Sequence, residues 1–366
     1  MNLLWHASCY FLSNLIFAVG HTRILSAVED SRFLSTNAQS IYLLRTTMRP
    51  QVKLVLPPPR LLTLDAFGTV YTPRPSVPDQ YSQIYSQHFP THRALPPARI
   101  STSFRQAYKA RLQSHPNYFG GEKEWWTELI KATFTIAAAD AFTEISAVQV
   151  SSLAREVFVN DLYEHFNSGQ AYMLMPDITE FLDSIHSVMR IGILSNSDSR
   201  CRVVLRELGV LASEDDLTTV QRTVGDKDGR SGHGWVKRDQ DVVLSCEVGA
   251  EKPDARIFEA AVENVLGSSA ITEPVSPEDE PLAVAKSVRY WHVGDDVEKD
   301  VLPLVDSSNA LKLQGWGAVY LKRSGDDGVS NPGGDVCLTH GGRVIEVTDL
   351  RDLTRLWDDG VDVIVE

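Results

Sequence analysis

Two hydrophobic rhythms alternate along the chain. Short, nearly unbroken apolar runs, among them VKLVL at 52–56, LLTL at 61–64, IGIL at 191–194, VVL at 242–244 and AVYL at 318–321, are each followed by polar residues or by Gly and Pro. Runs of this length stopped by turn residues read as buried strands ending in loops. Between them lie stretches with apolar positions three and four apart: DITEFLDSIHSV, SRCRVVLRELGV, DARIFEAAVENVLG and KDVLPLVDSSNALKLQG. Those read as amphipathic helices, the first with Asp177 near its N-cap. Strands alternating with helices of roughly 10 to 15 residues predict an α/β fold with a doubly wound parallel sheet covered on both faces.

One long stretch breaks the alternation. From about 79 to 175 the text is aromatic, Ala-rich and helical in period, as in FRQAYKARLQ, EKEWWTELIKATFTIA and VSSLAREVFVNDLYEHF, and Pro176 closes it. A helical block therefore interrupts the α/β unit after its first strand. The predicted division is a core over 52–75 and 176–345, a helical unit over 76–175, and a C-terminal tail over 346–366. Gly225 to Asp241, Ser268 to Pro281 and Gly325 to Gly334, rich in Gly, Asp, Ser or Pro, read as solvated surface insertions.

The first fifty residues do not share this pattern. Met1 to Arg49 carries Arg23, Arg32, Arg45 and Arg49 against Glu29 and Asp30, with many Ser and Thr. It can be read as a transit peptide, a weak signal-anchor, translation upstream of a start at Met48, or an ordinary extension. Leu4 to Gly20 contains His, Ser, Cys and Asn and falls short of the roughly 20 apolar residues that span a membrane.

Composition narrows the classes. With 366 residues, 35 Lys plus Arg and 48 Asp plus Glu, the net charge is −13, which removes the long-range attraction that nucleic-acid or anionic-membrane binding would use. A small anionic metabolite is the expected partner class; oligomeric state is left open. Cys9, Cys201, Cys246 and Cys337 form no CxxC pair, which fits a reducing compartment, cytoplasmic or nuclear, with mitochondrial targeting by 1–47 left open.

In a doubly wound sheet the ligand sits at the C-terminal ends of the strands. Four places qualify: Asp65 in LTLDAFGTVY, Ser195 and Asn196 in IGILSNSD, Lys252 in GAEKPDARIF, and Asp295, Asp296 and Asp300 in YWHVGDDVEKD. Taken singly, each has a structural explanation such as a turn cap or a solvated charge. The acidic trio crowds like charges at one helix start, which a hard cation would relieve, although helix N-termini also favour acid. Together, a carboxylate nucleophile, a small hydroxyl and amide, a lysine and an acidic loop meet the requirements of phosphoryl transfer through an aspartyl-phosphate.

These motifs, in this order, resemble the haloacid dehalogenase-like hydrolase superfamily, close to the eukaryotic haloacid dehalogenase-like hydrolase domain-containing proteins. The likeness covers about residues 60 to 325: DAFGTVY, ILSNS, EKPDARIF and HVGDDVEKD are similar to the family's four motifs, and the helical block to its inserted cap. The resemblance implies Asp65 as nucleophile and Mg²⁺ ligand, with the backbone carbonyl of Phe67 as another ligand and Thr69 supporting the loop. It implies that Ser195, Asn196 and Lys252 hold the transferring group, and that Asp295 with Asp296 or Asp300 anchors the ion.

One position departs from the phosphatase pattern. Family phosphatases carry a second Asp two residues after the nucleophile as acid and base; here Phe67 stands there. Phe67 agrees instead with metal-independent dehalogenases, whereas Asp295, Asp296 and Phe258 do not. Three readings follow: a slow Mg²⁺-dependent phosphatase, a non-catalytic ligand- or partner-binding protein, and a 2-haloacid dehalogenase. Trp125, Trp126 and Tyr118 are candidate lid aromatics, with helical packing as the plainer role; His88, His92, His115 and His165 read as surface residues.

Overall fold

A computed structural model describes residues 51–139, 152–213, 234–267, 280–306, 309, 312–323 and 335–365. The N-terminal stretch read above, most of the Gly225 and Ser268 stretches and all of the Gly325 stretch lie outside the described residues.

The apolar runs form strands that share one nine-stranded sheet. In chain order these are β1 (Gln51–Leu54), β2 (Leu61–Leu64), β5 (Ile191–Ser195), β6 (Val242–Leu244), β7 (Tyr290–Gly294), β8 (Trp316–Leu321), β9 (Val336–Thr339), β10 (Val344–Val347) and β11 (Val361–Val365); β3 (Tyr71–Pro73) and β4 (Tyr172–Leu174) form a separate antiparallel pair. The order is β1-β11-β9-β10-β8-β7-β2-β5-β6, parallel from β10 to β6. From β2 the chain builds outward through β5 and β6 on one side and through β7 and β8 on the other. Its C-terminal end is thus the switch point where a crevice opens.

Why β2 is central follows from its burial. All four of its residues are buried, Leu62 and Leu64 in the apolar cluster on one face and Leu61 in the cluster on the other. Ile178–Ile185 and Leu350–Trp357 pack on the first face, Ala255–Leu266 on the second. A strand buried on both faces must be apolar throughout, as the near-continuous LLTL run is.

The helical unit comprises α1 (Val77–His88), α2 (Pro97–Ser114), α3 (Glu122–Ala139) and α4 (Ser152–Phe166). Its own core is aromatic: Tyr81, Tyr85, Phe104, Tyr108, Trp125, Phe158 and Phe166 are all buried together. Ser76 caps α1 by accepting from the Asp79 amide, and Pro78 sits in the first turn, where its missing N–H costs nothing. The β3–β4 ribbon joins this unit to the core at both crossings, with Tyr71 opposite Leu174.

Three expectations need correction. Residues 346–366 are no tail: β10, the helix Leu350–Trp357 and β11 extend the sheet, and β11 pairs with β1, Gln51 opposite Ile364. The alternation of VIEV and VDVIV there was too short to stand out against the acidic text around it. The helix expected across 299–315 is shorter: a π-type turn at Val297–Val301 runs into Leu302–Val305, where Pro303 occupies the first turn. The end of the Gly225 stretch is not solvated either, since Trp235 and Val236 are buried beside Leu211. Among the described residues no helix is long and apolar enough to cross a membrane, and Cys201, Cys246 and Cys337 form no disulfide.

Because Leu353 is fully buried in the main apolar cluster, Leu353→Ala is expected to cost ~2–5 kcal/mol. Urea unfolding measures this, and an unchanged midpoint would mean that the C-terminal helix is not part of the cooperative core.

Candidate functional site

The parallel neighbours β5, β2 and β7 bring their C-terminal ends side by side, and this is what gathers the four motifs. Asp65 follows β2 and its amide donates to the Val293 carbonyl of β7 (2.8 Å). Ser195 ends β5, buried at 4% exposure. Lys252 arrives from the loop after β6, fully buried.

Lys252 is the hub. Its Nζ donates to Asp65 Oδ1 (2.7 Å), Asp300 Oδ1 (2.7 Å) and the Leu194 carbonyl (3.0 Å). Burial alone would lower its pKa; Asp300 and Asp65 outweigh that, and the ammonium is held above its ordinary value. Asn196 grips the lysine's own backbone, its Nδ2 donating to the Lys252 carbonyl (2.9 Å) and its Oδ1 accepting from the Lys252 amide (2.7 Å). The side chain expected at the transferring group is therefore used to fix the cation.

The acidic trio divides by role. Asp300, at 0% exposure, turns to Lys252, accepts from the Asp296 amide through Oδ2 (3.0 Å) and lies 3.1 Å from His292 Nε2. Gly294 makes room for it: a Cβ there would come within 2.2 Å of that carboxylate. Asp296 is an N-cap, its Oδ1 accepting from the Glu298 and Lys299 amides (2.9 and 3.1 Å). Asp295 is left facing the first loop, its Oδ2 2.6 Å from where a Cβ on Gly68 would stand. Gly68 is doubly required, since its φ of +88° is also a left-handed one.

His292, which the sequence reading passed over, sits under the site with Nδ1 2.9 Å from Thr63 Oγ1. Burial and the Lys252 charge depress its pKa, so it serves as a neutral wall. Arg323 was missed as well. It donates to the Thr69 carbonyl (3.2 Å) and to Asp177 (2.8 Å), whose carboxylate also accepts from the Leu350 amide (2.9 Å). The loop after Asp65 is thereby tied to the C-terminal extension, while Thr69, fully buried, lies within it.

For a divalent cation, the family resemblance names as hard oxygen donors the Asp65 and Asp295 carboxylates and the Phe67 carbonyl. Among the described residues no three His, Cys, Asp or Glu side chains converge as a metal cluster. A set of two carboxylates and one carbonyl does not need a third, because Mg²⁺ keeps several waters.

Above the strand ends lies a cavity of about 150 Å³ between core and helical unit. Phe67, Ser195 and Asn196 line it from below, Trp126 and Tyr118 from above. Trp125 has the plainer role, fully buried in the helical core with its indole donating to the His115 carbonyl (2.7 Å). The two units meet through Asp198, which accepts from the Trp126 indole (2.6 Å) and pairs bidentately with Arg200 (2.9 and 2.8 Å). Glu122 holds the Ser199 amide (2.9 Å), and Asn117 donates to the Ser245 carbonyl (2.9 Å). Apart from Trp126, none of these was singled out from sequence, although Asp198 and Arg200 stand just after the second motif. The four histidines expected on the surface are half-buried in the helical unit.

Residues 59–306 match a family model described as haloacid dehalogenase-like hydrolase. Among curated proteins, an uncharacterized hydrolase of Schizosaccharomyces pombe is 26% identical over 71% of this chain and 90% of its own length. A haloacid dehalogenase-like hydrolase domain-containing protein 3 of Danio rerio is 26% identical over 71% and 84%. Among solved structures, a magnesium-bound HAD-hydrolase of Bacillus subtilis, YfnB, aligns with a TM-score of 0.43 at 11% identity, over 82% of this chain and 99% of that one.

Since Asp300 is one of two carboxylates neutralising a fully buried ammonium, Asp300→Ala is expected to cost ~3–5 kcal/mol. Thermal and urea unfolding check this, and a loss below ~1 kcal/mol, the size of an exposed pair, would show that Asp65 alone suffices.

Proposed function

The chain belongs to the haloacid dehalogenase-like hydrolase family, and on that footing we propose that it is a Mg²⁺-dependent hydrolase of a small phosphomonoester, acting through an aspartyl-phosphate on Asp65. The observation that carries this reading is the position of Asp295. Its carboxylate packs against the Gly68 loop that follows Asp65, which puts a second hard oxygen donor of the kind Mg²⁺ takes on that loop.

In this reading each residue has one task. Lys252 orients Asp65 by holding Oδ1, and is itself held by Asn196 and Asp300. Ser195 offers its hydroxyl to a phosphoryl oxygen. Bound by Asp65, Asp295 and the Phe67 carbonyl, Mg²⁺ would supply positive charge to offset that of the phosphoryl group. The helical unit acts as a cap that excludes water from the strand ends. Phe67 gives the leaving oxygen no proton, so esters with poor leaving groups turn over slowly; the lost acid–base help corresponds to a factor of ~10²–10⁴.

A metal-independent 2-haloacid dehalogenase is the second reading. It is favoured by Phe67 lining the cavity, because a halide leaves without a proton.

Phosphate release from a phosphomonoester panel, with Mg²⁺ and with EDTA, separates these readings. Asp65-dependent release only with Mg²⁺ is expected; halide release from 2-chloropropionate insensitive to EDTA would transfer the assignment to the dehalogenase, and no Asp65-dependent activity of either kind would point to a binding protein. Phe67→Asp is expected to raise turnover of alkyl phosphates by ~10²-fold or more with little change in Mg²⁺ affinity, read from rate against Mg²⁺ concentration.

A further inference from the structure

The cavity and the missing proton donor point to the same substrate. Its upper wall is aromatic: Tyr81, Phe104, Tyr108, Tyr118 and Trp126 line it. The charged residues in the lining, Asp198 and Arg200, cancel each other in a bidentate pair, with the guanidinium 4.2 Å above the Trp126 ring. Burial raises the pKa of the Tyr81, Tyr108 and Tyr118 phenols, so they remain neutral hydroxyls. The wall is therefore uncharged overall and suited to a planar apolar group. The cavity's volume of about 150 Å³ is the size that accepts one benzene ring. Ser195 and Phe67 place the reacting end beside it.

The chemistry agrees independently. With Phe67 two positions after Asp65, the leaving oxygen must depart unprotonated. A phenol with a pKa of about 10, like that of tyrosine, releases its anion far more readily than an aliphatic alcohol, whose oxygen resembles that of water at about 15.7.

We propose that the cavity is a subsite for a single aromatic ring and that the substrates are aryl phosphomonoesters, whose phenolate leaves without general-acid help. The proposal rests on the phosphatase reading above. In the first step an Asp65 oxygen bonds to phosphorus, the P–O(aryl) bond breaks, and its electron pair leaves on the aryloxide. Water then cleaves the aspartyl-phosphate to phosphate and regenerates the carboxylate, and the proton released in that step is taken up by the aryloxide through solvent. The net reaction consumes one ester and one water and yields one phenol and one phosphate.

The test is steady-state kinetics of the full chain with Mg²⁺ on phenyl, benzyl and cyclohexyl phosphate. Benzyl phosphate keeps the ring but leaves as an alkoxide; cyclohexyl phosphate also loses the planarity. We expect kcat/KM for phenyl phosphate to exceed both by ~10²-fold or more, the scale of the missing acid, and the KM of benzyl phosphate to stay near that of phenyl. Phe67→Asp should narrow the phenyl-to-benzyl ratio by about tenfold or more, a change that a purely structural Phe67 would not produce. Ile130→Phe, which fills the cavity, should raise KM for phenyl phosphate while sparing acetyl phosphate. Should that variant misfold, competitive inhibition by phenylphosphonate against methylphosphonate reads the same subsite in the unaltered protein. Phenyl and cyclohexyl esters turned over within about threefold, or phosphonates of equal potency, would overturn the subsite and leave the phosphatase reading standing. No Asp65-dependent release from any ester would overturn both.

Discussion

A single buried ammonium organises this molecule. Lys252 has no contact with solvent, and a lone charge there would be untenable. Everything near it answers that problem: Asp65 and Asp300 bracket it, the Leu194 carbonyl takes its third proton, and Asn196 pins its backbone. The partners come from β2, β5 and the turn after β7, so the pairing also fixes how those strand ends face one another. The constraint that makes the core costly to disturb is the one that fixes the direction of the Asp65 carboxylate.

The parts of this arrangement legible in the sequence were those with a short-range signature. Apolar runs ending in Asp65, Ser195 and Gly294 marked strand ends, and the shift to helical period after 79 marked the inserted unit. What could not be read was the use of each side chain. Asp295, Asp296 and Asp300 look equivalent along the chain, yet one faces the Gly68 loop, one caps a turn and one is sealed against Lys252. Only the spacing imposed by the π-type turn separates them. Asn196, chosen as a substrate contact, has both ends of its amide occupied by a backbone 56 residues away. Arg323 and Asp177, 146 residues apart, carry no local pattern at all.

The inserted helices illustrate a different division. Their aromatic core closes on itself, with Trp125 inside it and Trp126, its neighbour in sequence, turned down to Asp198. Adjacent residues on a helix point about 100° apart, so one stripe builds the unit and the next one docks it. Docking is polar, through Glu122, Asn117 and the Asp198–Arg200 pair. Contacts of that kind can be released and remade with less penalty than an apolar seam.

The pairing of Gln51 with Ile364 has a topological consequence. The first and last strands of the described fold lie together at one rim of the sheet, while Asp65 follows β2, seventh in the strand order. The backbone is thus close to a closed loop, and a short tether could join these two strands while the chain was opened elsewhere. The parallel half from β10 to β6 would keep its strand order under such a permutation, and the tether would lie at the rim remote from Asp65.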